Sequence, residues 1–387
     1  MFRATVRQAF KMTDATSRSA PFSRAVFQAI RKLYPESLAD KSWDNTGLLL
    51  EAPFDPLRRQ INSVLLTVDL TRAVADEAIE RKDSVVIAYH PIIFKGLKSL
   101  TLGDTQQASL LRLVAEGISV YSPHTALDSA PGGINDWLAD IVTGTPTSTT
   151  KEDQKSTPSS TSTNAGDLEQ QPPSLKRPVF LLAHHPSAAS LGENAMFKLN
   201  SIKHERKPIT PLESESHPGA GQGRLVHFAK PQSLSSLIER IAKGLGNPKG
   251  FPIAIPQNKT IDQIDIRSVG ICAGSGGGLL SPLRNVDLLF TGELSHHEAL
   301  AAIERGQVVI ALFHSNTERG FLHGVLRAQL EEQIREEWEE LRKSERESVN
   351  SQDDETIEAL MDKYVNVQVS ERDRDPYGIV IGTSEVE

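Results

Sequence analysis

Ser84-Val85-Val86-Ile87-Ala88-Tyr89-His90-Pro91 is an apolar run that ends abruptly in an aromatic, an imidazole and a proline. Five consecutive small or apolar residues with no alternation read as a strand covered on both faces, the kind found in parallel sheets between helices. Pro91 stops the ladder, so Tyr89 and His90 emerge at the carboxyl end of that strand. Ligands sit along that edge in open α/β sheets. Working outward, Leu48-Leu49-Leu50 and Ile61–Val68 read as strands on one side, and Ile118–Tyr121 as a fourth on the other. Helical patterns fall between them at Ala73–Arg81, Gln106–Glu116 and Ile134–Ile141, with an earlier helix whose stripe is Val26, Phe27, Ile30 and Leu33 and which Pro35 ends. Strands alternating with helices predict an α/β layer architecture.

The same strand-end logic picks out two further segments. The strand at Ile118–Tyr121 delivers His124 and Asp128, and the apolar run Val308–Phe313 delivers His314 with Glu318 four residues on. One helical turn would put His314 and Glu318 on one face. Histidines and carboxylates from three distant segments form a divalent-metal ligand set, and their mixed nitrogen and oxygen chemistry suits Zn²⁺, Mn²⁺ or Fe²⁺. Taken alone, Asp128 reads as a helix cap and His90 equally as a structural histidine, while the stronger pair, His314 with Glu318, has a surface ion pair as its alternative. Glu293, His296 and His297 follow another strand end at Leu288–Thr291 and would line the same pocket, with Glu293 or His297 as a proton shuttle. His184-His185 before Pro186 imitates the first site but reads as structural or surface-exposed.

Composition bounds the function. The chain has 387 residues, a formal net charge of -8 and no long basic block, which argues against general nucleic-acid binding. Cys272 is the only cysteine, so an intramolecular disulfide and a cysteine-only metal cage are excluded. No apolar run approaches the ~18 residues of a membrane span. The glycine-rich stretch Gly270–Gly278 lacks the Lys-Ser/Thr of a phosphate loop and the GxGxxG dinucleotide pattern, and reads as a tight turn or an anion cradle. No GxSxG elbow occurs.

Residues 1–21 carry Arg3, Arg7, Lys11 and Arg18 opposite Phe2, Val6 and Phe10, which suits either a mitochondrial transit segment or a disordered tail, and Met12 offers an internal start. The expected location is therefore cytoplasmic, mitochondrial or both. Residues 22–144 are the first part of a metal-binding α/β domain. Thr145 to Ser174 is a Thr/Ser/Pro/Gln-rich tract, read with its flank as a disordered linker over 145–175. Residues 176–284 read as a smaller inserted α+β unit, and 285–387 as the second part of the outer domain with a long helix over Phe321–Arg346. That helix has one apolar seam, with Leu322, Val325, Leu326, Gln329, Ile334, Trp338 and Leu341 near it.

Seven segments in order, Ser42–Leu48, Tyr89–Phe94, His124–Asp128, Gly132–Asp136, the 270–278 loop, Thr291–His297 and His314–Glu318, make the chain resemble the Nif-three-like family. Members of that family also carry the label GTP cyclohydrolase I type 2-like. The resemblance covers about residues 22–382 and implies a two-domain α/β fold, a discontinuous outer domain with an inserted α+β domain, and a di-metal cavity. It also implies a toroidal homohexamer and a small, nucleotide-like substrate for a metal-dependent hydrolase. Residue by residue, His90, Asp128, His314 and Glu318 match the family's metal ligands. The bacterial form has two adjacent histidines before the proline, where this chain has Tyr89 and His90. A phenol with an ordinary pKa near ~10 is a poor ligand at neutral pH. The expectation is one full metal and a second weak or absent. The alternatives are a non-catalytic metal-binding interaction protein, using the C-terminal helix or the oligomer surface, and a metal-trafficking factor.

Overall fold

The computed structural model describes residues 19–55, 59–145, 179–185, 201–348 and 354–383. The readings of the N-terminal segment up to residue 18 and of the linker tract from 146 lie outside them. Among the described residues no helix is long and apolar enough to cross a membrane.

Two main sheets organise the chain. The first has the order Gly47–Leu50, Ser119–Ser122, Asp83–Ala88, Ile61–Thr67, Asn366–Val369, and every pairing is parallel except that of the Gly47–Leu50 edge. Strand alternation divides its side chains cleanly. Leu65, Val86 and Val120 face the helices Arg72–Arg81 and Thr105–Ala115, packing on Val74, Ala78, Leu110 and Leu113. Val64, Leu66, Val85, Ile87 and Tyr121 face the other way, onto Val26, Phe27 and Ile30 of the helix Pro21–Leu33. Each of the fully buried Val, Leu, Ile and Phe side chains among these contributes ~1.5–3 kcal/mol. This is why the strands carry unbroken apolar runs.

The second sheet has the order Ile253–Ala254, Val308–Ala311, Leu288–Glu293, Asp265–Ser275, Arg224–Ser233, His204–Lys207. Its three adjacent strands 308–311, 288–293 and 265–275 are parallel. Ile271, Leu288, Phe290 and Ile310 from this sheet belong to the same apolar cluster as Val64 and Ile87 of the first. One continuous core therefore joins the sheets, with the helix Ile134–Thr143 contributing Ile134, Trp137, Leu138 and Val142 to it.

This topology corrects the division at 284/285. Leu288–Glu293 and Val308–Ala311 do not return to the first sheet: they pair with strands of the middle region. An apolar strand carries no mark of which sheet it joins, and these two found partners close in sequence. Among the described residues, Asn366–Val369 alone returns to the first sheet. Val179–Ala183 likewise leaves the middle unit, pairing antiparallel with Ile379–Thr383.

The long helix is Arg327–Ser348, preceded by a π turn over Leu322–Leu326 that the periodicity does not reveal. Leu330, Ile334, Trp338 and Leu341 form its buried seam, and Trp338 meets Phe22 edge-to-face at 5.6 Å. Gln329 lies beside that seam, accepting a 2.7 Å hydrogen bond from the Tyr34 hydroxyl.

Candidate metal centre

The strand Asp83–Ala88 extends its ladder by two residues, since Tyr89 N–H donates to Thr67 O (2.8 Å) and His90 N–H to Val68 O (3.0 Å). His90 is thereby fixed where the sheet ends. His314 enters from the second sheet behind Phe313, a non-glycine residue at φ +65°, a left-handed geometry held only under constraint. A single 3₁₀ turn, Ser315–Thr317, then carries the chain to Glu318. The pair expected on one face of a helix is thus brought together by a tighter turn.

His90, His314 and Glu318 converge: their ligand atoms all lie within 4.8 Å of one another. His90 Nε2 stands 3.3 Å from His314 Nε2 and 3.5 Å from Glu318 Oε2, and His314 Nε2 stands 3.5 Å from Glu318 Oε1. Nitrogen and oxygen ligands ~2.0–2.2 Å from one tetrahedral ion are separated by about these distances. The far nitrogen of each ring is also taken. Asp69 Oδ1 holds His90 Nδ1 at 2.9 Å and Glu293 Oε1 holds His314 Nδ1 at 2.9 Å, the carboxylate–histidine arrangement that fixes a metal-binding tautomer. Glu318 is 1% exposed, and its Oε2 has no hydrogen-bond partner. A buried carboxylate oxygen left orphaned is costly, and a cation between the three groups would satisfy it. The residues present therefore fit a divalent ion.

The glycine loop serves this centre. Gly274 has φ +63°, and a Cβ there would lie 2.6 Å from Glu318 Oε1 and 2.9 Å from His314 Nε2. Neither a tight turn alone nor an anion cradle describes it: the backbone must pass beside the ligands with no side chain.

Electrostatics follow the geometry. Burial disfavours charge on His90, but Glu318 and Asp69 outweigh it and hold its pKa up to about 11 in the ion-free protein. Asp69 is held below its usual range, because the His90 hydrogen bond and charge overcome its burial. Cys272 is driven well up, by burial first and then by Asp128 and Glu318, so it offers no thiolate.

Asp128 lies outside the compact trio. The Tyr89 hydroxyl donates to Asp128 Oδ1 at 2.6 Å, and burial, the largest influence, raises Asp128 to about 6. Tyr89 is buried, and its phenol is pushed far up by burial and by the Asp128 and Glu318 charges, so it stays protonated. Glu293 backs His314, and His297 stands exposed on the helix His296–Glu304 with its ring against His296 at 5.2 Å. His184 and His185 lie at the end of the Val179–Ala183 strand, half-buried beside Gly378 and Ile379.

Sequence reading missed the supporting carboxylates. Asp69 looks like a helix entry, but Thr71 caps that helix by accepting from Val74 N–H, which leaves Asp69 for His90. Asp44 binds His124 Nδ1 at 2.6 Å and is held by Thr125. Asp373 accepts from Val68 N–H (2.9 Å) and pairs with Arg319 (3.2 Å), while Asp375 accepts from Ser315 N–H (3.0 Å) and Oγ–H (2.8 Å). The segment after Asn366–Val369 thus braces Val68, the backbone partner of His90, and Ser315, the residue after His314.

Residues 23–347 match the model of the family described as Duf34/NIF3 (NGG1p interacting factor 3). The chain belongs to the Duf34/NIF3 family. It is 39% identical over 319 residues to the protein NIF3 homolog of Schizosaccharomyces pombe, covering 82% of this chain and 92% of that one. It is 30% identical over 402 residues to the NIF3-like protein 1 of Homo sapiens, covering 97% of both. Among solved structures it resembles a Bacillus cereus protein related to NIF3, with TM-score 0.54 and 18% identity over 92% of this chain and 98% of that one. A Staphylococcus aureus hypothetical protein gives TM-score 0.55 and 19% identity over 93% and 99%. The α/β fold of this NIF3 chain is shared with both.

Proposed function

We propose that this NIF3 protein is a divalent-metal-dependent hydrolase of a small substrate, with one ion per chain held by His90, His314 and Glu318. The observation that carries the reading is the trio itself: the two Nε2 atoms lie 3.3 Å apart, each 3.5 Å from a different oxygen of Glu318, with both histidines locked from behind by carboxylates. A divalent ion, when bound, supplies Lewis-acid polarisation and a water nucleophile at neutral pH. Asp69 and Glu293 each hold the Nδ1 of one ring and leave the two Nε2 atoms aimed at one point, where the second proton of His90 would be displaced on ion binding. Glu318 supplies the negative charge, and Gly274 leaves space beside it. Asp44 holds His124 through its Nδ1 at 2.6 Å, with the His124 ring 5.5 Å from that of His90. That assigns proton transfer to His124 in place of Glu293 or His297, since Glu293 is engaged with His314. A single ion is favoured because Tyr89 occupies Asp128 and offers no ligand of its own.

The test is metal content of protein purified without chelator, compared with the His314→Ala/Glu318→Ala double variant. Near one equivalent in wild type and a loss in the variant are expected, together with metal-dependent turnover on a panel of phosphate esters and cyclic amides. Unchanged metal content in the variant would refute the site. A full metal complement with no turnover on any substrate would refute the hydrolase and leave a metal-handling protein.

A further inference from the structure

Trp43 is 53% exposed, yet it is pinned on several sides. Its side chain lies near the Asp40 carboxylate, whose pKa it helps to lower after Ser42 and Gln222, and Ser42 and Gln222 Nε2 (3.0 Å) hold that carboxylate in place. Its ring stands edge-on to His124, with centroids 5.8 Å apart at 90°. Phe94, itself 45% exposed, lies 5.9 Å away and tilted by 48°. The two loops that carry these rings are stapled together, because the Asn45 side-chain amide donates to Ile93 O. A half-wet aromatic pair that is already immobilised has lost its conformational freedom before anything binds. A ligand ring docking there gains the contact without that ordering cost.

The position gives the pair its meaning. His124 touches Trp43 on one side and His90 on the other, with ring centroids 5.5 Å apart. An unbroken row of rings therefore runs from the exposed pair to the metal trio, continuing from His90 to His314 at 5.1 Å. His124 is itself held at φ +29°, a strained backbone for a non-glycine residue, with Asp44 at its Nδ1.

We propose that Trp43 and Phe94 form the ledge that receives a planar aromatic ring of the substrate, while an oxygen-bearing arm of the same molecule reaches His90, His314 and Glu318. The arm rests on the metal reading above, and the ring does not. The ledge selects for aromatic character, since offset or edge contacts with an indole and a phenyl ring favour a flat π system over an aliphatic group.

The experiment compares two inert probes on the metal-loaded full chain by calorimetry: phenylphosphonate, which has ring and arm, and methylphosphonate, which has the arm alone. Wild type should bind phenylphosphonate about two- to ten-fold more tightly. Trp43→Ala should erase that preference while leaving methylphosphonate affinity and metal content unchanged, and Trp43→Phe should retain most of it. Trp137 and Trp338 are buried, so quenching of intrinsic fluorescence by phenylphosphonate reports Trp43. Equal affinity for the two probes in wild type would overturn the ledge, as would a preference surviving in Trp43→Ala. A change of oligomeric state in Trp43→Ala by sedimentation, with the preference intact, would make the pair a contact between copies. If methylphosphonate fails to bind while phenylphosphonate still quenches Trp43, the metal reading fails and the ledge stands. If neither probe binds, the ledge falls.

Discussion

Replacing Gly274 by alanine tests the centre with the smallest possible perturbation. The added Cβ would lie 2.6 Å from Glu318 Oε1 and 2.9 Å from His314 Nε2, where real Cβ contacts stay beyond 3.0 Å. Glu318 must therefore withdraw by about 0.4 Å, against the ~0.2 Å over which metal–ligand distances are ordinarily tolerated. Glu318 is 1% exposed, so it has little room to retreat. The φ of +63° adds about 1–2 kcal/mol of backbone strain for any residue with a Cβ. A loss of about 10- to 100-fold in metal affinity is expected, the scale seen when the support of a metal ligand is disturbed. Gly278 is the control, because a Cβ there meets nothing within 4 Å and its backbone is not left-handed. The assay is zinc titration against a competing chromophoric chelator for wild type, Gly274→Ala and Gly278→Ala. Wild-type affinity in Gly274→Ala would refute the placement of the ion between Glu318 and His314.

Tyr89→His should raise bound metal from one toward two per chain by freeing Asp128 and adding a ligand, whereas Tyr89→Phe should leave it at one; two in the wild type would defeat the argument from the 2.6 Å Tyr89–Asp128 hydrogen bond. Asp69→Asn should weaken metal binding by about 10- to 100-fold with the fold retained by circular dichroism, because it removes the charge on His90 Nδ1. His323 sits in the π turn with its pKa pushed down to about 4, by burial first and then by Arg327 and Arg319. The unfolded chain takes up this proton near pH ~6.5 and the folded chain only near 4, so stability falls by about 3 kcal/mol as the pH drops through that window. Denaturant melts at pH ~7 and ~4.5 should show a shallower loss for His323→Leu, and an unchanged slope would exclude His323 as the source.

The strands and the cluster of His90, His314 and Glu318 were legible for a physical reason. Val85-Val86-Ile87 and Val308-Val309-Ile310 are buried on both faces, so their apolar runs announce them, and the polar groups just beyond are conspicuous. Pairing was not legible. Leu288-Leu289-Phe290 looks like a strand of the first sheet, and only hydrogen bonding to Val269–Cys272 assigns it to the second. The supporting carboxylates were hidden because their partners are remote. Asp69 meets His90 across 21 positions, and Asp44 meets His124 across 80. Glu293 was picked out for the right neighbourhood and a different task, since exposure and spacing do not say which nitrogen of His314 a carboxylate will face.

The brace from Asp373 and Asp375 has a consequence for the order of events during synthesis. His90, His314 and Glu318 have all been translated by residue 318, but Asp373 and Asp375, which tie down Val68, Ser315 and Arg319, come more than fifty residues later. A nascent chain thus carries every ligand well before it can hold them in register. Register of the trio is thus completed late, coupled to insertion of the Asn366–Val369 strand beside Ile61–Thr67. The segment that follows this strand is therefore what closes the site, after all three of its side chains are already in the chain.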